Sequence, residues 1–237
     1  MTEGTLLDGR VRYRQPRDGY RTGIEPVLLA ASVPARPGER VLEAGAGAGA
    51  GLLCLLARVP GVHGLAVELD PGLAALARDN FARNGAERAA VQEGDIAAVD
   101  VGLADHAMAN PPWFDPAGTP SPVPGRRLAK QGAPGMLATW TRAMAAGLRW
   151  RGTLTLVLPA AAMADGLAAL QAAGCGSPAV LPLWPHPGRP AKLVLLRGVR
   201  GGAGACRMLA GLTLHEAGGG FTPAMDAVLR GGGALDL

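Results

Sequence analysis

Cysteine is scarce in this chain. Its three residues, Cys54, Cys175 and Cys206, lie far apart, with no CxxC pair and no histidine partner. That pattern excludes a zinc framework and a disulfide-stapled fold, and it fits a reducing cytoplasm. The four histidines, His63, His106, His186 and His215, show no ligand spacing, so no metal is expected. Long apolar runs are missing as well. The uncharged apolar stretch around Thr153–Ala164 is too short to span a bilayer and contains Pro159. Residues 1–20 hold no apolar core of the secretory type. The expectation is a soluble, cytoplasmic protein without a membrane partner. Charged residues make up 18% of the chain against 49% apolar, which excludes a disordered polyelectrolyte. Acidic residues are absent between Asp115 and Asp165, where Arg126, Arg127, Lys130, Arg142, Arg149 and Arg151 all fall. A second basic cluster, Arg10, Arg12, Arg14, Arg17 and Arg21, lies near the start. Such patches suit a polyanionic partner.

What is present is enough apolar residue in 237 positions for one well-buried α/β domain. Residues 1–23 alternate (Val11, Tyr13) as a short hairpin or extended arm, and Ile24–Val33 reads as a helix that ends at Pro34. Strand and helix then alternate. Arg40–Ala44 reads as a strand, Ala48–Arg58 as its helix, and His63–Leu69 as the next strand. Pro71–Asn84 follows as a helix with proline in its first turn and Asn84-Gly85 as its stop. Ala89–Gln92 and His106–Ala109 are short strands, and Pro116–Pro134 is a long loop of the kind that carries function. Gly135–Leu148 is helical, Gly152–Leu158 a strand, Ala160–Ala173 a helix, Lys192–Arg197 a strand and Pro223–Leu229 a terminal helix. This order implies a mainly parallel sheet flanked by helices in one domain. No coiled coil or large apolar face demands a dimer, so a monomer is expected.

Glycines 45, 47, 49 and 51 follow a hydrophobic strand and open a helix, where glycine permits a tight turn and close backbone approach to a ligand. The same placement serves dinucleotide folds, so the loop alone does not choose between cofactors. Glu43, at the end of the first core strand, helps to choose. A carboxylate there repels a pyrophosphate but accepts from the ammonium of a cationic cofactor, directly or through water. Glu68 ends the next strand and can accept both ribose hydroxyls, each such bond to a charged group contributing about 1.5–3 kcal/mol. Asp70 before Pro71 reads as a helix cap. Asp95 follows the third core strand and can accept from an adenine amine, with Ile96 packing on the ring; Gly-Asp turn chemistry is the competing reading.

Aromatic residues number only nine, and Trp113-Phe114 sets two of them side by side after Asn110-Pro111-Pro112. An exocyclic amine or a glutamine amide has its lone pair delocalised into a π system. Acceptors on both N–H groups turn that lone pair outward toward a methyl donor. The Asn110 side-chain oxygen and the Pro111 carbonyl can be those acceptors, held in advance of the reaction. Pro111 and Pro112 stiffen the turn. Trp113 offers a face for the target ring, typically worth about 1–3 kcal/mol for a nucleobase.

At these residues the chain resembles the class I S-adenosylmethionine-dependent methyltransferases, and within them the bacterial tRNA1(Val) adenine-37 N6-methyltransferase group. Arg17-Asp-Gly-Tyr20-Arg21-Thr22-Gly-Ile-Glu25-Pro-Val-Leu-Leu-Ala30 is similar to the family's N-terminal signature. Glu43–Gly49, Glu68, Asp95 and Asn110–Trp113 fall in the family's order, followed by Trp140, Leu158-Pro159, Pro190–Leu196 and Phe221–Leu229. The resemblance implies a Rossmann-like fold over residues 1–237, with an N-terminal arm and helix (1–38) and a core (39–237) that includes a substrate loop at 114–134. It implies S-adenosylmethionine held by Tyr20, Arg21, Thr22, Glu43, Ala44, Gly45, Gly47, Gly49, Glu68, Leu69, Asp95, Ile96 and Asn110. It implies catalysis by Asn110, Pro111, Pro112 and Trp113, and RNA contacts from Trp113, Phe114, Arg126, Arg127 and Lys130. The implied activity is methylation of adenine N6 in a tRNA. Two residues depart from the usual pattern: Trp113 stands where Tyr or Phe is common, and Glu43 where Asp is more frequent. Related groups with this tetrapeptide methylate guanine N2 amines in ribosomal RNA or glutamine in release factors. The resemblance therefore narrows the reaction more than the substrate.

Overall fold

The computed structural model describes residues 1–17, 22–112 and 134–237. An N-terminal hairpin, β1 (Thr2–Leu6) and β2 (Val11–Gln15), precedes helix α1 (Glu25–Ser32). The core begins with β3 (Arg40–Ala44), α2 (Ala50–Arg58), β4 (His63–Glu68), α3 (Pro71–Arg83) and β5 (Ala89–Glu93). It continues with β6 (Ala104–Ala109), α4 (Met136–Ala146), β7 (Leu148–Pro159) and α5 (Met163–Ala172), the last entered through a 3₁₀ turn at Ala160–Ala162. Strands β8 (Cys175–Trp184), β9 (Leu193–Arg200), β10 (Arg207–Met208) and β11 (Leu212–Thr213) and helix α6 (Pro223–Leu229) complete the described chain.

Among the described residues β1 and β2 form a two-stranded sheet of their own, and the other strands form one sheet in the order β10-β8-β9-β7-β6-β3-β4-β5, with β11 also on β8. β3 through β7 pair in parallel, while β9 runs antiparallel to both β7 and β8. From β3 the chain builds outward to β4 and β5, then returns to place β6 on the other flank of β3. That reversal opens a crevice at the carboxyl ends of β3 and β6, where ligands bind in sheets of this type. Helices cover both faces. Leu28, Leu52 and Leu55 are fully buried on one side, and Met144, Leu148 and Leu170 on the other.

The hairpin is fastened to α3 by two asparagines. Asn80, fully buried, accepts from the Arg14 N–H and donates to the carbonyls of Arg14 and Ala48, each at 2.9 Å. Asn84 accepts from the Arg12 N–H at 2.9 Å and donates to its carbonyl at 2.7 Å. Two strand residues advance about 6.7 Å, and four helical residues about 6 Å. An i, i+4 pair of side-chain amides therefore matches alternate positions of a strand edge, and the helix pairs with β2 as another strand would. Asn80→Ala leaves the Arg14 N–H and the Ala48 carbonyl unmet. The expected loss of stability is about 1–3 kcal/mol for each such group, read by urea unfolding; a change below about 0.5 kcal/mol would mean that other contacts hold the hairpin.

The structure departs from the sequence expectation at several points. Residues 175–184 form a long strand where none is expected, because Pro178 and Pro182 interrupt the pattern; the first sits in a bulge between Gly176 and Ala179 with Ser177 at φ +50°. The helix expected to run through Leu148 stops at Ala146, and Leu148–Arg151 start β7 instead. Helix α2 opens at Ala50 rather than Ala48, after Gly49 at φ +86°. Of the N-terminal arginines, Arg14 pairs with Glu3 and Asp79, and Arg10 donates to the carbonyls of Leu7 and Arg230.

Candidate active site

Strand register brings the predicted residues to one edge. Ala44 pairs with Val67 on one side and Ala109 on the other, so Gly45, Glu68 and Asn110 emerge there as neighbours. Glu68 in turn pairs with Glu93, which places Gly94-Asp95 at the same edge. Asn110 is half-buried and Pro111, which follows it, is buried. Trp113, Phe114, Arg126, Arg127 and Lys130, like Tyr20 and Arg21, lie outside the described residues.

The glycine loop spends its own donors. Gly45 and Ala46 both give their N–H to the Val67 carbonyl, Gly49 to Ala46, and Gly47 to the Glu68 carboxylate at 2.7 Å. In the first turn of α2 the Leu52 N–H is taken by Glu43 at 2.8 Å. A pyrophosphate needs such donors free at a helix N-terminus; here two carboxyl groups already occupy the Gly47 and Leu52 N–H groups. That counts against the dinucleotide reading.

Glu68 is 8% exposed and bridges the loop to the next turn, accepting from Gly47 at one oxygen and from Asp70 at the other, 2.9 Å. A carboxylate offers about four lone-pair sites, so about two remain for a ligand's hydroxyls. Leu69, beside it, is 66% exposed, an apolar surface at the rim. Asp70 caps α3 through the Leu73 N–H, as its position before proline predicts. Asp95 is exposed and accepts from the Ala97 N–H at 2.9 Å, so the turn chemistry is realised with one carboxylate oxygen. Ile96 and Ala44 are buried in the core between the sheet and α4. Thr22 is tied to the hairpin, its N–H to Gln15 and its hydroxyl to Tyr13, which packs in the cluster that holds Ala46 and Ala48.

Glu43 lies beneath the loop, 5% exposed, with its carboxyl against Gly51. Burial pushes its pKa up to about 8; the Leu52 N–H opposes this and the charge of Glu68 adds to it. At neutral pH the folded chain thus holds a proton here. Between the unfolded value of 4.5 and about 8 the folded chain binds more proton than the unfolded one. Stability from this group is therefore complete below the lower value and is lost as pH rises through the upper. Glu43→Gln is expected to flatten the decline between pH 5 and 8, which is on the order of a few kcal/mol; an identical pH profile for both proteins would show that Glu43 is ionised in the fold.

One wall of the site was not assigned from sequence. The Trp140 ring on α4 covers the loop so closely that a Cβ on Gly45 (φ +64°) would stand 2.6 Å from it. Only glycine fits beneath that ring. Gly47 (φ +56°), by contrast, faces open space, which leaves its backbone accessible to a ligand. The signal in the sequence was a tryptophan on a helix, without indication of what it touches.

The basic stretch from Arg126 to Arg151 divides. Arg149 and Arg151 belong to the start of β7, at the sheet edge opposite Asn110, where Arg149 pairs with Asp105 at 2.8 Å. Nearby, His106 is buried between Thr153 and Glu39, and burial lowers its pKa despite the Glu39 carboxylate. Among the described residues no cluster of histidine, cysteine or carboxylates could hold a metal, and no helix is long and apolar enough to cross a membrane.

No family model matches the chain. By sequence it is similar to a release factor glutamine methyltransferase of Rhodospirillum rubrum, 41% identical over 81 residues, 34% of this chain and 25% of that protein. It is also similar to a tRNA1(Val) (adenine(37)-N6)-methyltransferase of Aeromonas hydrophila, 34% identical over 162 residues, 66% of each chain. The chain thus spans a quarter of the first relative's length and just under two thirds of the second's. By structure it matches a predicted O-methyltransferase of Agrobacterium tumefaciens with a TM-score of 0.76 at 24% identity, over 90% of this chain and 99% of that one. The Rossmann-like methyltransferase fold and the resemblance read from the sequence are both borne out.

Proposed function

We propose, for a chain with the class I methyltransferase fold and methyltransferases among its relatives, that it methylates an exocyclic amine of RNA, namely adenine N6 in a tRNA. The observation that carries this reading is the register that sets Asn110 beside Gly45 and Glu68 on one sheet edge. S-adenosylmethionine, when bound, supplies a methyl carbon made electrophilic by its sulfonium. The residues present suit it: Glu68 keeps acceptor sites for ribose hydroxyls, and Leu69 offers apolar surface for the adenine. With the Glu68 carboxylate at the loop edge and the Gly47 N–H already taken by it, a cation is favoured over an anion. Asn110 and the Pro111 carbonyl accept the two N–H bonds of the target amine and turn its lone pair outward. No strong base is required, because the nitrogen becomes acidic only once methylated and then releases its proton to water.

A second reading, methylation of a glutamine amide in a protein, is favoured by the similarity to a release factor glutamine methyltransferase. A primary amide presents the same flat NH2 group. Incubation with isotopically labelled cofactor and bulk tRNA, followed by mass spectrometry of nucleosides, tests the proposal. Labelled N6-methyladenosine is expected. Label confined to a release factor offered in parallel would overturn the RNA reading in favour of the amide.

A further inference from the structure

A second concavity lies on the same sheet edge as Asn110 but outside the reaction centre. β9 is antiparallel to β7 and β8, so the end of β7, the start of β9 and the end of β8 meet at one level: Pro159 pairs with Leu193, and Leu193 with Leu183. Trp184 therefore reaches the carboxyl edge three strands from β6, about 15 Å across at the usual strand spacing. There a cavity of about 540 Å³ opens, lined by Trp184, Pro187, Gly188, Arg189, Pro190 and Thr213. Small-ligand sites span roughly 300–1,000 Å³, so a nucleotide fits.

The lining is built for a flat anion. The Trp184 indole N–H donates to the Ala210 carbonyl at 3.2 Å, which satisfies its polar edge and fixes the ring. Behind it, His215 stacks on Phe221 with centroids 4.8 Å apart, and His186 lies 5.4 Å from His215. Two prolines and a turn bond from the Arg189 N–H to the His186 carbonyl stiffen the 186–190 segment. Arg189 lines the cavity, and Lys192 is exposed two residues beyond Pro190. Neither forms an ion pair with a described residue, and no acid lines the cavity; Glu216 nearby engages His186 through its backbone carbonyl.

Resting on the RNA reading above, we infer that this cavity holds a nucleotide flanking the methylated base. Its base packs on Trp184 and its phosphate meets Arg189 and Lys192. The flat base and the charge on its backbone match an aromatic and proline lining with two unpaired cations, and every base has a π face to offer.

The test uses the full chain and a labelled single-stranded RNA of about fifteen nucleotides, with affinity followed against salt. The double variant Arg189→Ala, Lys192→Ala is expected to bind tenfold or more weakly. Its slope of log affinity on log salt should be shallower by about 1.4, the contribution of two phosphate contacts to a single strand. Trp184→Phe should cost a smaller factor, and calorimetric affinity for S-adenosylmethionine should stay unchanged in all variants. Unaltered RNA affinity and slope in the double variant overturn this site alone, as does a loss matched by weaker cofactor binding or a lower Tm. Failure of the unmodified protein to bind RNA at any salt removes the RNA reading, and this inference with it.

Discussion

Asn110→Ala is expected to lower kcat by roughly 10²–10³-fold, the scale of losing one preorganised polar contact to a transition state. Affinity for S-adenosylmethionine should remain within a few-fold. The split between the two follows from position. Asn110 begins the turn after β6, half-buried, with buried Pro111 behind it. Its neighbours across the edge, Gly45 and Glu68, carry the proposed cofactor contacts through their own strands and not through Asn110. Asn110→Asp sharpens the test, because it keeps the side-chain length and an acceptor oxygen. It should retain more activity than the alanine variant if accepting an N–H is the role. Initial rates on tRNA and titration calorimetry of the cofactor check both halves. Unchanged turnover in Asn110→Ala would take the amide out of the chemistry.

Periodicity made the inner half of the sheet legible. Arg40–Ala44 was expected and observed with the same bounds, and β4, β5 and α3 agree to within a residue or so, because each is a short apolar run closed by glycine, proline or asparagine. Prolines hid β8: Pro182 reads as a breaker, yet its neighbours pair with β9 around it. The N-terminal arm read as a short hairpin or extended, basic arm, and the hairpin is what forms, but its docking depends on Asn80 and Asn84, whose helical spacing carries no label for a strand partner. Charge misled for a related reason. Arg149 and Arg151 follow Asn110–Trp113 in sequence, but β6 and β7 are parallel, so each strand starts at the edge opposite Asn110. Proximity along the chain therefore placed them a sheet's length from the site. At the site itself, residue types at strand ends were readable because a parallel sheet must deliver all its carboxyl ends to one side. The spending of the loop donors on Val67, Glu68 and Glu43 was not, since it depends on loop geometry at three positive-φ glycines.

Glu68→Ala is expected to weaken S-adenosylmethionine binding by more than about tenfold, since two hydrogen bonds to a charged group are removed at about 1.5–3 kcal/mol each. The structure adds a complication, because the same carboxylate holds the Gly47 and Asp70 N–H groups. Loss of affinity could then come from a slackened loop without any contact to ribose. A double-mutant cycle with a ligand variant separates the two. S-adenosylhomocysteine and its 2′,3′-dideoxyribose analogue are titrated into both proteins. If Glu68 holds the ribose, the analogue binds the unmodified protein much more weakly than the parent ligand, while the alanine variant hardly distinguishes them. If Glu68 only braces the loop, both ligands lose the same factor on mutation and the coupling is near zero. Glu68→Gln supplies the intermediate: it keeps one acceptor for a backbone N–H and lacks the charge, so it should retain more loop order than alanine yet bind ribose poorly. A coupling of at least 1 kcal/mol is the scale expected for groups in direct contact, and its absence would leave Glu68 as a structural brace with the ribose site elsewhere on the edge.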